Sequence, residues 1–223
     1  MTSTAAITLY TADTPNGLKI NIFLQEAGVS YTQVGLDLGR GEQHRPEYLA
    51  INPNGKIPAI TDADTGVSVF ESGAILTYLA NKYGRFSSAS LADGLQIQQW
   101  LYFQVAGIGP MLGQLWWFMH GSGTRNEEAL ARYRKESHRL YGVVERRLQA
   151  SRHLALDDYS IADMAAFPWL RTHDELALDM TAYPAVRQWL AAIEARPAVQ
   201  RALIANRIRG RSEQRGAPDA HRE

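Results

Sequence analysis

Asn52-Pro53-Asn54-Gly55-Lys56-Ile57-Pro58-Ala59-Ile60, followed by Phe70-Glu71-Ser72-Gly73-Ala74-Ile75-Leu76, decides how the first part of this chain folds. Pro58 has no N–H to donate to a strand ladder, so it belongs at a strand start or edge. Residues 59–62 read as a strand, 64–66 as a turn and 67–70 as the return strand; a helix opens at Ser72 and runs to Tyr83. If the bond before Pro58 is cis, the Ile57 backbone turns outward and can pair with a peptide-like ligand. Glu71 and Ser72 put a carboxylate and a hydroxyl at the mouth of a helix N-terminus, whose unpaired N–H groups attract an anion. The set suits a small zwitterionic peptide, with Ile57 pairing its middle, Ser72 its carboxylate and Glu71 its amine.

Upstream, residues 6–10 form a β-like run, and Thr14 stands as N-cap to a helix that begins at Pro15. Ile20, Phe23, Leu24 and Ala27 recur at helical spacing, and Gly28 ends that helix. A second strand is predicted over 31–38, then a Gly-rich loop at 39–43 and a short turn of helix at about 46–50. The order β-α-β-(α)-β-β-α is thioredoxin-like, with a right-handed βαβ crossover. Downstream of a linker at 84–89 the pattern is helical throughout. The first long helix carries Ile97 to Leu115 and is expected to kink at Gly107-Ile108-Gly109-Pro110. Asn126 caps a second long helix, Ser160 and Asp163 form a capping box, and Pro184 and Pro197 begin the last two helices. The fold class is therefore α+β thioredoxin-like (1–84) followed by an all-α domain (91–206), with 207–223 read as a polar, frayed tail.

At 223 residues the chain can bury an ample core. Its 23 basic and 23 acidic residues leave no basic excess, which argues against nucleic acid as a partner. No cysteine is present, so the chemistry uses no protein thiol, disulfide or thiolate-held metal. The six histidines show no i,i+4 pair, which predicts no metal site, and no Gly-X-Ser-X-Gly elbow occurs. The first residues lack a signal-peptide pattern and no apolar run approaches a membrane span, so a cytoplasmic protein is expected.

Pro53-Asn54-Gly55-Lys56-Ile57-Pro58-Ala59 followed by Phe70-Glu71-Ser72-Gly73-Ala74-Ile75 resembles the glutathione-binding half of the cytosolic glutathione transferases. Thr14-Pro15-Asn16-Gly17 narrows the resemblance to the Nu-class, disulfide-bond-oxidoreductase-like branch, over residues from about 7 to about 206. The resemblance implies glutathione, reduced or oxidised, as substrate, with Thr14 and Asn16 at its sulfur. It also implies Gln43, Lys56, Ile57, Pro58, Glu71 and Ser72 around the tripeptide, Arg132 toward a second glutathione, and a homodimer with Phe70, Tyr78 and the aromatic helix after Leu95 at its interface. Tyrosine is the sulfur donor in some classes, but Tyr10 more simply packs at the end of the first strand.

A free thiol has a pKa of about 8.5. A helix N-terminus stabilises a nearby anion by about 0.3–1 kcal/mol, up to ~2 when partly buried, and one charge-assisted hydrogen bond adds about 1.5–3 kcal/mol. At ~1.4 kcal/mol per pKa unit, these lower the thiol pKa by roughly one to two, without a general base. With no Cys-X-X-Cys, any disulfide exchange must run between thiols held by the protein, so glutathione-dependent disulfide reduction is the leading expectation. The alternatives are conjugation of glutathione to apolar electrophiles (or peroxide reduction), with Tyr102, Phe103 and 116–120 lining an acceptor pocket, and a non-catalytic glutathione-binding regulatory module. His120 invites a base role, although a lone histidine at a helix end more often caps it.

Overall fold

The computed structural model describes residues 5–212, with side chains described through Arg207. Four strands form one sheet in the order β2-β1-β3-β4: β1 (Ile7–Thr11), β2 (Tyr31–Gly35), β3 (Ala59–Asp62) and β4 (Val67–Phe70). β1 runs parallel to β2, with Ile7 opposite Tyr31, and antiparallel to β3, with Leu9 opposite Ile60. β4 returns antiparallel to β3, with Ala59 opposite Phe70. Strand β2 is shorter than the expected 31–38, because its partner β1 ends at Thr11. The Leu36 amide still donates to the Thr11 carbonyl at 2.8 Å, and Asp37 then turns the chain by accepting from the Arg40 amide.

Helices α1 (Pro15–Ala27), α2 (Pro46–Leu49) and α3 (Ser72–Tyr83) complete the first part. The helical part comprises α4 (Leu91–Phe103), α5 (Gly109–Trp116), α6 (Glu127–Ala150), α7 (Ile161–Leu170), α8 (Pro184–Glu194) and α9 (Pro197–Ser212). Ser90, Asn126 and Ser160 cap α4, α6 and α7 through their side chains, the last in a full capping box with Asp163. The expected kink takes the form of a π turn, Gln104–Ile108, between α4 and α5; a second, Trp117–Gly121, ends α5. Helix α9 continues through Ser212, past the expected start of the tail at 207; residues 213–223, where the rest of that expectation falls, lie outside the described residues. Among the described residues no helix is long and apolar enough to cross a membrane.

One apolar cluster joins the two parts, running from Ile7, Leu9 and Phe23 to Ile108, Phe167 and Leu203. Helix α1 lies at its centre, and every residue from Gly17 to Leu24 is buried. The helix is packed by α3, α7 and α9, with the sheet beside it. Glu26 at its end pairs with Arg196, beside the start of α9.

The first turn of α1 touches the end of β1 at Gly17, where a Cβ would stand 2.2 Å from Thr11 Oγ1 and 2.6 Å from the Ala12 carbonyl oxygen. Alanine gains about 1 kcal/mol over glycine in a helix interior, but forced overpacking typically costs 1–3 kcal/mol. The backbone carbonyl cannot rotate away, so the overpacking cost outweighs the gain and G17A is expected to lower stability by up to about 2 kcal/mol. Urea denaturation decides it: a midpoint equal to or above the parent's removes the close approach from the account.

Candidate active site

Two helix N-termini face one cleft. At the first, Thr14 caps α1 by accepting the Gly17 amide on Oγ1 at 3.2 Å, and Pro15 takes the first helical position. At the second, α3 has no side-chain cap; Glu71 holds the N-cap position at φ 71° and ψ 116°. A non-glycine residue in that region costs about 1–3 kcal/mol, and such strain concentrates at functional sites. The uncapped N–H groups of α3 are left for a ligand anion.

The cleft has two lobes. A polar lobe of about 380 Å³ includes Lys19, Asn52, Glu71, Ser72 and Gln104 in its lining. A larger, apolar lobe of about 610 Å³ includes Leu38, Leu112, Trp116 and Trp117. Asn16, Lys56, Ile57, Gly113, Gln114 and Trp169 line both, so the lobes meet where Asn16 faces Trp169. A separate cavity of about 600 Å³ between α6 and α8 contains none of the predicted site residues.

Asn16 is oriented by the helical part of the chain. Its Oδ1 accepts from Trp169 Nε1 at 2.9 Å. An indole nitrogen can only donate, so the amide oxygen is committed to it and the amide NH₂ is turned elsewhere, available to an acceptor in the cleft. Trp169 fits because α5 presents glycine at two positions four residues apart. A Cβ on Gly113 would stand 3.2 Å from its ring, and one on Gly109 3.3 Å from its Nε1. The residue before the cap is fixed as well: Asp13 Oδ1 accepts from Asn206 Nδ2 at 2.7 Å. Asn206 in turn accepts from Asn21 Nδ2 at 3.0 Å, and Asn21 from the Tyr31 hydroxyl at 2.9 Å.

Behind Ser72 lies Lys19, 1 % exposed. Its Nζ donates to Gln104 Oε1 at 2.6 Å and to Ser72 Oγ at 3.1 Å. Burial lowers its pKa from 10.5 to about 7, against the opposing pull of Glu71. Gln104 comes from the π turn, and its Nε2 has no hydrogen-bond partner among the described residues.

The predicted residues divide as follows. Thr14, Asn16, Gln43, Lys56 and Ile57 line the apolar lobe; Asn16, Lys56, Ile57, Pro58, Glu71 and Ser72 line the polar one. Gln43 Oε1 is buried without a partner among the described residues, while its Nε2 reaches the Leu38 carbonyl at 3.5 Å. The Lys56 carbonyl accepts from the Tyr48 hydroxyl and from Asn52 Nδ2, each at 2.5 Å, which fixes the turn; its side chain is exposed. The Ile57–Pro58 bond is cis, and β3 begins only at Ala59, so Ile57 stands outside the ladder. Arg132 is not brought to the cleft: it is exposed on α6, lines neither lobe, and acts electrostatically on Glu136. Tyr10 also lines neither lobe and packs its ring against Tyr48 at 5.9 Å. His120 is packed against Trp116 and sits 3.3 Å from the Glu175 carbonyl.

Sequence reasoning missed Lys19, Gln104 and Trp169. A signal existed for Lys19, which shares a helical face with Ile22 and Phe23 at the i+3 and i+4 positions. None existed for Trp169, whose role arises from docking of the two parts.

Comparison with known proteins agrees with this architecture. Residues 5–81 match the glutathione S-transferase N-terminal domain model, and residues 108–197 match the C-terminal domain model. The chain is 48% identical to disulfide-bond oxidoreductase YfcG of Escherichia coli (strain K12), over 89% of this chain and 94% of that protein. It is 34% identical to the transcriptional regulator URE2 of Saccharomyces cerevisiae, over 85% of this chain but 65% of that one. Among solved structures, a Burkholderia graminis glutathione transferase with two glutathione molecules bound per subunit superposes with a TM-score of 0.87 at 41% identity, covering 91% of this chain and 89% of that one. One from Pseudomonas putida, with one glutathione disulfide bound per subunit, gives 0.84 at 38% identity, covering 91% and 93%. The chain therefore belongs to the glutathione transferase family, in the branch that contains YfcG.

Proposed function

We propose that this protein reduces disulfides with glutathione as the thiol donor. The observation that carries the reading is the seam of the cleft. A polar lobe suited to a zwitterionic peptide meets an apolar one at Asn16 and the α1 N-terminus, in a chain without cysteine. The names of its relatives support the same chemistry: YfcG is a disulfide-bond oxidoreductase, and the Pseudomonas putida structure contains glutathione disulfide.

In this reading Ser72 and the uncapped α3 N-terminus take the γ-glutamyl carboxylate, and Glu71 takes the ammonium. The Ile57 backbone beside Pro58 pairs with the cysteinyl residue, and Gln43 and Lys56 serve the glycine end. Thr14 and Asn16 face the sulfur. The bound thiolate attacks one sulfur of the disulfide, forming a mixed disulfide and expelling one thiolate, which takes a proton. A second glutathione thiolate then attacks the glutathionyl sulfur and releases the second thiol. The sum is two glutathione and one disulfide converted to glutathione disulfide and two thiols.

The test is a rate assay with glutathione and a small model disulfide, beside an ultraviolet titration of bound glutathione. The thiol pKa is expected to fall by roughly one to two below its free value of about 8.5. Loss of one neutral hydrogen bond costs about 0.5–1.5 kcal/mol, so W169F, which frees the Asn16 amide to rotate, should lower kcat/KM by roughly 3- to 10-fold. N16A should lower it further. Tight glutathione binding with no rate above the buffer reaction and no change in thiol pKa removes the reading.

Conjugation remains a second reading because the apolar lobe, walled by Trp116, Trp117 and Trp169, suits an apolar electrophile. The same thiolate serves both, and comparing a model disulfide with an aromatic electrophile separates them.

Glu71 yields an independent check. Glycine at this position relieves the positive-φ strain, so E71G should raise the unfolding free energy by about 1 kcal/mol, read as a higher urea midpoint, while weakening glutathione binding by roughly 10-fold or more, the value of one charge-assisted contact. Weaker binding without added stability would separate the carboxylate's role from the strain.

A cytoplasmic homodimer completes the proposal. Phe70 at the end of β4, and Leu91, Leu95 and Tyr102 on one face of α4, are exposed in the single chain. Tyr78, expected at the same interface, is engaged within the chain, its hydroxyl donating to Asp62 Oδ2 at 2.6 Å. Sedimentation velocity should give twice the chain mass, and L95E should return the mass to that of one chain.

A further inference from the structure

Lys19 is a cation in the middle of a core, on a helix whose neighbours Leu18, Ile20 and Ile22 are apolar and buried. Nothing in the disulfide exchange set out above uses it. We propose that Lys19 is a positioning residue of the glutamyl subsite, taking up a proton when a ligand carboxylate docks on Ser72 and thereby turning the Ser72 hydroxyl toward that carboxylate. The proposal rests on the glutathione reading of the polar lobe and deepens it.

The geometry dictates the coupling. A lysine ammonium has three donors and no acceptor, whereas the neutral amine keeps a lone pair. When Lys19 is charged, Ser72 Oγ can only accept from it across the 3.1 Å contact, and the serine proton is free for the cavity. When Lys19 is neutral, its lone pair competes for that proton and the hydroxyl can turn inward. Gln104 Oε1 accepts the second lysine donor at 2.6 Å and fixes the nitrogen. Three ionisable side chains line the polar lobe: Lys19, Glu71 and Lys56. Glu71 is the facing carboxylate that favours the charged form, and burial opposes it. The other helices packed on α1 commit their charges elsewhere. Asp163 of α7 accepts from Ser160 and Trp189, and Arg196, beside α9, binds Glu26. Docking a carboxylate on Ser72 adds a negative charge one hydrogen bond beyond the direct partner of Lys19 in a site of low dielectric. The ligand's ammonium offsets Glu71, which makes no hydrogen bond or ion pair with Lys19 among the described residues, so the nearer charge decides the sign. A pKa of about 7 in the empty site leaves the lysine near half-protonated at neutral pH, so there is a proton to gain.

The test uses the whole protein and S-methylglutathione, which has no thiol proton to release. Titration calorimetry in buffers of different ionisation enthalpy should show an uptake of roughly half a proton per ligand at pH 7, rising toward one at pH 8. Affinity should fall as pH rises from 6.5 to 8. K19M, of similar length and without charge, should abolish both the uptake and the pH dependence and bind roughly 10-fold more weakly at pH 6.5. Histidine titrates in the same range. His44 follows Gln43 in the chain and lies against Gly55, both of which line the apolar lobe, so H44Q serves as the control and is expected to retain the uptake. S-methyl-cysteinylglycine, which lacks the glutamyl end, should bind without it. If K19M does not fold, the comparison of these two ligands on the parent protein decides alone. Failure of S-methylglutathione to bind removes the glutathione reading itself. Binding with no net proton uptake across pH 6.5–8, or uptake that H44Q abolishes, overturns the role of Lys19 and leaves that reading intact.

Discussion

Helix α1 is buried on all sides from Gly17 to Leu24, and a helix without a solvent face must satisfy every polar side chain it carries. Its two are Lys19 and Asn21. Each reaches a different element: Lys19 binds Ser72 of α3 and Gln104 of the π turn, and Asn21 binds Asn206 of α9. The requirement therefore ties the sheet-bearing part to the helical part at two separate places. An unpaired buried polar group costs about 1–3 kcal/mol, and more when charged. Displacing α9 would leave the Asn21 amide nitrogen without its acceptor, and displacing the π turn would leave Lys19 with Ser72 alone, so the two parts favour one relative arrangement.

The same burial fixes the start of the helix, where the proposed chemistry belongs. Three contacts converge on four residues: Asn206 on Asp13, the Gly17 amide on Thr14, and Trp169 on Asn16. Two of the three come from the helical part. Sub-ångström placement of a donor matters because a polarising group acts only where it points at developing charge. A thioredoxin-like unit alone would hold Thr14 but leave the Asn16 amide free to rotate.

Much of the local structure was legible because turn and cap chemistry is local. Pro15 and Gly28 bound α1, Pro58 opens β3, and Ser160 with Asp163 starts α7, as their residue types require. An error arose where a partner decides the outcome: β2 stops at Gly35 because β1 has ended. In the site, the residues on the loop before β3 and at the mouth of α3 were readable from their order. Lys19 was missed although it shares a helical face with Ile22 and Phe23, because a lysine reads as solvated until its helix is known to have no outer face. Trp169 was beyond reach, since its bond to Asn16 spans 153 residues.

The seam between the lobes constrains the proposed reaction beyond binding. A thiolate beside Asn16 has donors on its polar side and indole rings on the other, so attack directed into the apolar lobe expels a second thiolate there. The ionisable groups lining that lobe are Asp13, Glu175 and Lys56. Both carboxylates are already held by neutral donors, Asn206 and Trp116, and neither stabilises an anion. Lys56, the cation within that lining, is taken in the proposed mode by the glycine end of glutathione. A departing thiolate is then favoured when it leaves toward solvent, and an acceptor with an apolar body and one solvent-reaching sulfur arm fits the lobe best. Acceptors that bring further negative charge into the lobe meet Asp13 and Glu175 with no compensating burial energy. On this argument the cleft selects among disulfides by the charge of the half that enters it, while the glutathione half is held in common.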